Sequence, residues 1–253
     1  MIILKKKTLL ISFSIVAIAI LVASIIFLKE LKNLKAEPFD LRESFTYTAH
    51  TGCVDTPDNS LDAIIVGIEN GADIVEFDLR FLEDGTPILS HDEPQGNEVT
   101  LDEAFKKVSE YDDILVNVDI KVTDNLQAVY PLAKKYGIED RIFYTGVNAE
   151  FVEAVKKNSP EIPYYLNVSV QKPRKQTPEY LEALVKEVKD SGAIGINFNK
   201  DNATKKLVET FHENDLLVSI WTVNTKYQML KILSMAPDNI TTRRPDKMQE
   251  ILK

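Results

Sequence analysis

Two of the chain's three histidines, His50 and His91, fall at the ends of β-rich runs that neighbour carboxylates set at alternate positions. Glu76 and Asp78 alternate in VEFDLR, and Asp119 and Lys121 alternate in NVDIK. If these runs are strands, each pair projects to one face. Charges on the inward face of an apolar strand are costly unless they are paired or bind a metal. Three carboxylates converging without a ligand repel one another, and their pKa values rise. A hard divalent cation relieves this, and an all-oxygen ligand set suits Mg²⁺ or Ca²⁺ rather than zinc. Histidines flanking such a site can serve as general acid and base, their unperturbed pKa being about 6.5. The competing reading joins Glu76 and Asp78 to Arg80 or Lys121 in a salt-bridge network. Asn197 and Asn199 also alternate in a later run, and Trp221 reads equally as core or as a substrate wall. Arg243 and Arg244 read as surface charge or as a phosphate contact, His212 as a surface residue, and Cys53 as a small loop filler.

These residues need a scaffold that brings distant strand ends together. From Phe45 onward, eight β-rich runs occur, at 45–50, 73–81, 114–121, 141–146, 163–170, 194–199, 216–224 and 239–242. A short extension, PILSHDE, follows a Glu-Asp-Gly turn at 83–85 and carries His91. Between the runs lie seven segments, such as TLDEAFKKVSEY and PEYLEALVKEVKDSG, with apolar residues at i, i+3 and i+4. Gly71, Gly137 and Gly192 stand where helix C-caps are expected. Strict alternation implies parallel strands with right-handed crossovers. Eight strands in about 210 residues, with no Gly-rich phosphate loop after the first, favour a TIM (β/α)₈ barrel over an open α/β sheet. In such a barrel the chemistry gathers at the C-terminal strand ends, where His50, His91 and the carboxylates fall.

Composition narrows the partners. Of 253 residues, 44% are hydrophobic and 27% charged, which excludes disordered and collagen-like chains. One cysteine excludes a disulfide framework and any multi-Cys zinc site. The net charge of −9 argues against a general nucleic-acid binder. Six lysines and one glutamate in residues 1–35 leave −14 on the remaining 218. A phosphate substrate therefore needs a local cation or metal to receive it.

Residues 8–28 read TLLISFSIVAIAILVASIIFL without a charge. As a helix, this run would span about 30 Å, the thickness of a bilayer's hydrocarbon core. It is longer than a signal-peptide core and lacks a small-x-small site before Lys29, which favours an uncleaved anchor over a cleaved signal. The expected layout is a basic leader at 1–7, a transmembrane signal-anchor helix at 8–28, a linker at 29–43 and a barrel at 44–253. The expected location is the cell membrane, single-pass, with the barrel extracytoplasmic.

Taken in order, the motifs resemble those of the glycerophosphodiester phosphodiesterases. The stretches are His50-Thr51-Gly52, Asp58-Asn59-Ser60, Glu76-Phe77-Asp78, Asp84-Gly85, His91-Asp92, Asp119-Ile120-Lys121, Trp221-Thr222-Val223-Asn224 and Thr242-Arg243-Arg244-Pro245. They span residues 45–253 in register. The resemblance implies hydrolysis of glycerophosphodiesters, small or polymeric, to glycerol 3-phosphate and an alcohol. It implies one divalent cation, Mg²⁺ or Ca²⁺, on Glu76, Asp78 and Asp119, and proton exchange by His50 and His91. Lys121, Asn59, Trp221 and Arg243 are the implied substrate and phosphate contacts.

The chain departs from the family pattern at several positions. Thr51 stands where the family has arginine, Asp58 and Asp119 where it has glutamate, and Arg243 where it has aspartate. Arg243 can return the positive charge lost at Thr51. Only DEPQGNEV, residues 92–99, follows His91 before the next helix start, so the cover over the site is expected to be small and open to a bulky headgroup or polymer. Two other outcomes fit the same residues. One is a phospholipase C-like enzyme in which a substrate hydroxyl attacks phosphorus and releases a cyclic phosphate. The other is a catalytically silent barrel that binds a phosphorylated ligand.

Overall fold

The computed structural model describes residues 16–25, 28, 29, 34 and 39–253. The chain divides into two units, Met1–Asp40 and Leu41–Lys253. In the first, residues 16–25 are helical, with Val16, Ile18, Ile20, Leu21 and Ile25 exposed. Among the described residues no helix is long and apolar enough to cross a membrane. Much of the expected 8–28 span, and all of the 1–7 leader, lie outside the described residues.

In the second unit the strands are β1 (Thr46–Ala49), β2 (Ile74–Phe81), β3 (Pro87–Leu89), β4 (Leu115–Ile120), β5 (Ile142–Val147), β6 (Tyr164–Asn167), β7 (Gly195–Asn199), β8 (Leu217–Trp221) and β9 (Asn239–Thr242). They hydrogen-bond in the order β1-β9-β8-β7-β6-β5-β4-β2-β3, and a further β1–β2 pairing closes the ring. All neighbours in the ring are parallel; β3 is an antiparallel addition to β2. The result is the expected eight-stranded α/β barrel, with His91 carried just past β3.

Eight helices pack outside: α1 (Leu61–Glu69), α2 (Leu101–Val108), α3 (Val129–Lys135), α4 (Val152–Asn158), α5 (Pro178–Ser191), α6 (Lys205–His212), α7 (Lys226–Leu233) and α8 (Pro245–Leu252). Ser60, Thr100, Thr177, Thr204 and Thr225 each cap a helix with a side-chain oxygen that accepts a first-turn N–H. Gly71, Gly137 and Gly192 all take positive φ, as C-terminal stops require. The last helix, α8, is the one the periodic pattern missed; its local signal is Pro245 at the first turn.

Strand alternation divides polar from apolar. Val75, Phe77 and Leu79, Val116, Val118 and Ile120, and Ile196 and Phe198 are buried at every second position. The Phe77 ring lies 6.2 Å from that of Phe105 on α2, so this set faces the helices. The intervening residues, Glu76 and Asp78, Asn117 and Asp119, and Asn197 and Asn199, occupy the opposite face, toward the barrel axis.

His212 is not a free surface residue. Its Nε2 lies 2.8 Å from Asp238, a buried carboxylate that also accepts from Arg42 and from the Val218 N–H. Asp238 immediately precedes β9, so this network closes the N-terminal end of the barrel, away from the chemistry. Arg42 lies within the expected linker yet already belongs to the barrel unit. Cys53 is buried, and its thiol, pushed up to about 11 chiefly by that burial, is unreactive.

Candidate active site

At the C-terminal strand ends, β2 and β4 run in register so that Asp78 lies opposite Asp119, with Glu76 one layer deeper. One oxygen each from Glu76, Asp78 and Asp119 lie within 4.8 Å of one another. The Lys121 ammonium reaches Asp78 at 2.8 Å and Asp119 at 3.1 Å. Three carboxylates against one ammonium leave a formal charge of about −2, which a divalent cation neutralises.

Each carboxylate is held from behind. The Thr51 backbone N–H donates to Glu76 Oε2 at 2.8 Å. Asn59 grips Asp78 at both ends, its Nδ2 donating to Oδ2 and its Oδ1 accepting from the Asp78 N–H. Asn59 can do this from a left-handed backbone, φ 55°, which asparagine tolerates. Asp119 Oδ1 is different: it is buried with no hydrogen-bond partner among the described residues. A buried orphan carboxylate oxygen beside two more carboxylates calls for a cation. Burial, reinforced by Asp78 and Asp119 against the opposing pull of His50, raises Glu76 to about 7, and burial likewise raises Asp119. Burial opposes charge on Lys121, but the Asp119 and Asp78 carboxylates outweigh it and its pKa rises.

Gly146, at φ 76° in β5, leaves the space that Asp119 occupies; a Cβ there would sit 2.2 Å from Asp119 Oδ1. His50 follows β1, its Nδ1 3.0 Å from the Thr51 carbonyl and 3.7 Å from Glu76 Oε2. A carbonyl only accepts, so this contact places the proton on Nδ1 and leaves Nε2 of the neutral ring as a base. His91 is exposed at the rim, its Nδ1 3.0 Å from Asp92. Arg243 forks onto Asp58 at 2.6 and 3.2 Å. That hydrogen bond chiefly holds Asp58 below its usual range; His50 and His91 line the same mouth.

A cavity of about 630 Å³ joins these groups, lined by His50, His91, the three carboxylates, Lys121, Trp221 and Arg243. Asn59 is absent from that lining and meets the site through Asp78 and Thr51. Thr51 and Gly146 carry no chemistry-bearing signal in sequence, because their contributions are a backbone N–H and a missing Cβ. On the far wall Asn197 Oδ1 and Trp221 Nε1 are buried without partners among the described residues, an acceptor and a donor suited to substrate hydroxyls.

A profile of the "Glycerophosphoryl diester phosphodiesterase family" matches residues 50–102 and 93–247. The chain belongs to this family. By that membership it is a phosphoric diester hydrolase. Among relatives, it is 23% identical over 244 residues to a glycerophosphodiester phosphodiesterase of Caldanaerobacter subterraneus subsp. tengcongensis, covering 81% of this chain and 96% of that one. The fold is shared with a glycerophosphodiester phosphodiesterase of Agrobacterium tumefaciens, TM-score 0.67 at 17% identity, over 81% of this chain and 99% of that one. It is also shared with an Oleispira antarctica phosphodiesterase in complex with the product sn-glycerol-3-phosphate, TM-score 0.64 at 18% identity, over 82% and 96% of the chains.

Of the positions that depart from the family pattern, two pair with each other. Thr51, in place of arginine, is buried, and its Oγ1 accepts from the Asn59 N–H. Arg243 and Asp58, both departures, pair with each other across the mouth.

Proposed function

We propose that this chain is a membrane-anchored, extracytoplasmic hydrolase that cleaves glycerophosphodiesters to glycerol 3-phosphate and an alcohol. The observation that carries the reading is one cavity in which two imidazoles flank three carboxylates and a lysine. Glu76, Asp78 and Asp119 would hold a divalent cation, Mg²⁺ or Ca²⁺. Bound there, it would polarise phosphoryl oxygen and offset charge in the transition state. One imidazole takes a proton from the attacking water as its oxygen bonds to phosphorus. The other, protonated, gives one to the alcohol oxygen as the phosphorus–oxygen bond breaks. Lys121 stabilises phosphoryl charge, with Arg243 as a second cation at the rim. Trp221 and Asn197 receive hydroxyls. Asn59 orients Asp78. The apolar run at 8–28 supports anchoring, and its basic leader supports export of the barrel.

The test is release of glycerol 3-phosphate from a diester panel by the full-length chain in detergent. Chelation should abolish release, and Mg²⁺ or Ca²⁺ should restore it. Product that emerges as a cyclic phosphate would instead assign attack by a substrate hydroxyl.

A further inference from the structure

The loop after β6, residues 168–177, reads VSVQKPRKQT: three cations and no acid. Lys172, Arg174 and Lys175 are all exposed. Among the described residues no carboxylate lies within 4.0 Å of any of them. This is unusual placement in a body of strongly negative charge. The loops after β1, β3, β4 and β5, at 50–60, 90–99, 121–125 and 148–151, carry Asp55, Asp58, Asp92, Glu93, Glu98, Asp124 and Glu150 against Lys121 alone; Arg243 and Arg80, from outside these loops, pair with Asp58 and Glu93 and leave five acids to one base. In the ring β6 and β7 stand across the barrel from β1 and β2. The mouth therefore has an acidic side and a basic side.

The basic loop is also built to keep its shape. Gln176, 9% exposed, lies beneath it and donates to the Gln171 and Asn202 carbonyls at 2.9 and 2.7 Å. Its Oε1 accepts from Thr204 at 2.6 Å, and Asn202 donates to the Val170 carbonyl at 2.8 Å. These bonds tie the loop to the one after β7, and a one-turn 3₁₀ helix, Pro173–Lys175, presents the cations from a fixed backbone. Fixing the backbone beneath three cations in advance lowers the entropic cost of receiving a charged ligand.

Resting on the phosphodiesterase reading, we propose that residues 172–175 bind a second phosphate of the substrate, which is an anionic chain of linked glycerophosphates rather than a diester with a neutral alcohol. The scissile phosphate sits by Lys121. The next phosphate of the departing chain is repelled by the β1–β5 side of the mouth and drawn across to Lys172, Arg174 and Lys175.

The experiment compares glycerophosphoglycerol, which has one phosphate, with a soluble oligomer of four to six glycerophosphate units. Both are offered to the full-length chain in neutral detergent, as wild type and as the triple variants K172A/R174A/K175A and K172E/R174E/K175E. The wild type should prefer the oligomer, and salt should erode that preference. The alanine variant should lose about tenfold in kcat/KM on the oligomer, the glutamate variant more, and both should stay within about twofold on the single diester. Equal losses on both substrates, or no loss on either, would overturn the proposal. So would loss of binding to anionic vesicles with oligomer turnover unchanged, which would assign the loop to a lipid surface. Anisotropy of a labelled oligomer, measured in a His50→Ala background, reads the loop independently of turnover. Weakened binding in the triple variants supports the proposal even if no diester is cleaved, and unchanged binding overturns it.

Discussion

Much of the site depends on single atoms that are held in place or left out. Gly146 is an example: a Cβ there would collide with Asp119 Oδ1 at 2.2 Å and with the Ile120 carbonyl at 2.3 Å, on a backbone at positive φ. Gly146→Ala should therefore displace Asp119 and cut kcat/KM by at least about tenfold, with weaker cation affinity; unchanged kinetics in a folded variant would show that Asp119 is not needed where it stands. Glu76 gives a pH prediction. Its carboxyl is raised, mainly by burial, from 4.5 to about 7. Between these values the folded state holds a proton that the unfolded state has lost, so the cation-free protein loses stability as pH rises through that window. A cation must displace the same proton, so its affinity should rise toward pH 7 and level off above it. Thermal shifts on adding Mg²⁺ or Ca²⁺ should be larger at pH 8 than at pH 5.5; equal shifts would contradict the linkage.

Elements explain how much was legible in advance. The strands carrying Glu76, Asp78, Asp119 and Lys121 were readable because period-two alternation is local, and local patterns survive in sequence. Both histidines were readable as strand-end residues for the same reason. Asn59's grip on the Asp78 carboxylate and N–H was not, because it is a relation between residues 19 apart. His212 misled because its partner, Asp238, lies 26 residues on, beyond any helical period. α8 (Pro245–Leu252) was not read, although it is as long as α2, α6 and α7. The stops at Gly71, Gly137 and Gly192 were legible as chemistry, and the structure adds N-terminal caps. Thr100 and Glu103 form a reciprocal capping box at the start of α2. Thr100→Ala should cost about 1 kcal/mol, or roughly 2–4 °C in Tm, while leaving KM unchanged. A Tm equal to wild type would show that the box contributes nothing.

At the scale of the whole molecule, the barrel separates stability from chemistry. Asp238, at the N-terminal end, gathers Arg42, His212 and the Val218 N–H around a carboxylate that is 4% exposed. Removing it leaves buried donors without an acceptor, so Asp238→Ala should destabilise the fold by about 3 kcal/mol while the surviving folded fraction keeps its kcat. A specific loss of kcat without a fall in Tm would mean the two ends are coupled. The opposite end concentrates a formal charge of about −2 on four groups, from Glu76, Asp78, Asp119 and Lys121, and leaves Asp119 Oδ1 without a partner among the described residues. The central claim, that two imidazoles exchange protons beside this acidic cluster, is tested most directly by one measurement. Glycerol 3-phosphate release by the full-length chain should be compared with His50→Ala and with His91→Ala, each with cation and with chelator. The account predicts cation-dependent release in wild type and a fall of about 10²–10⁴-fold in either variant, with Tm unchanged. Release that survives either substitution, or that persists under chelation, would contradict it.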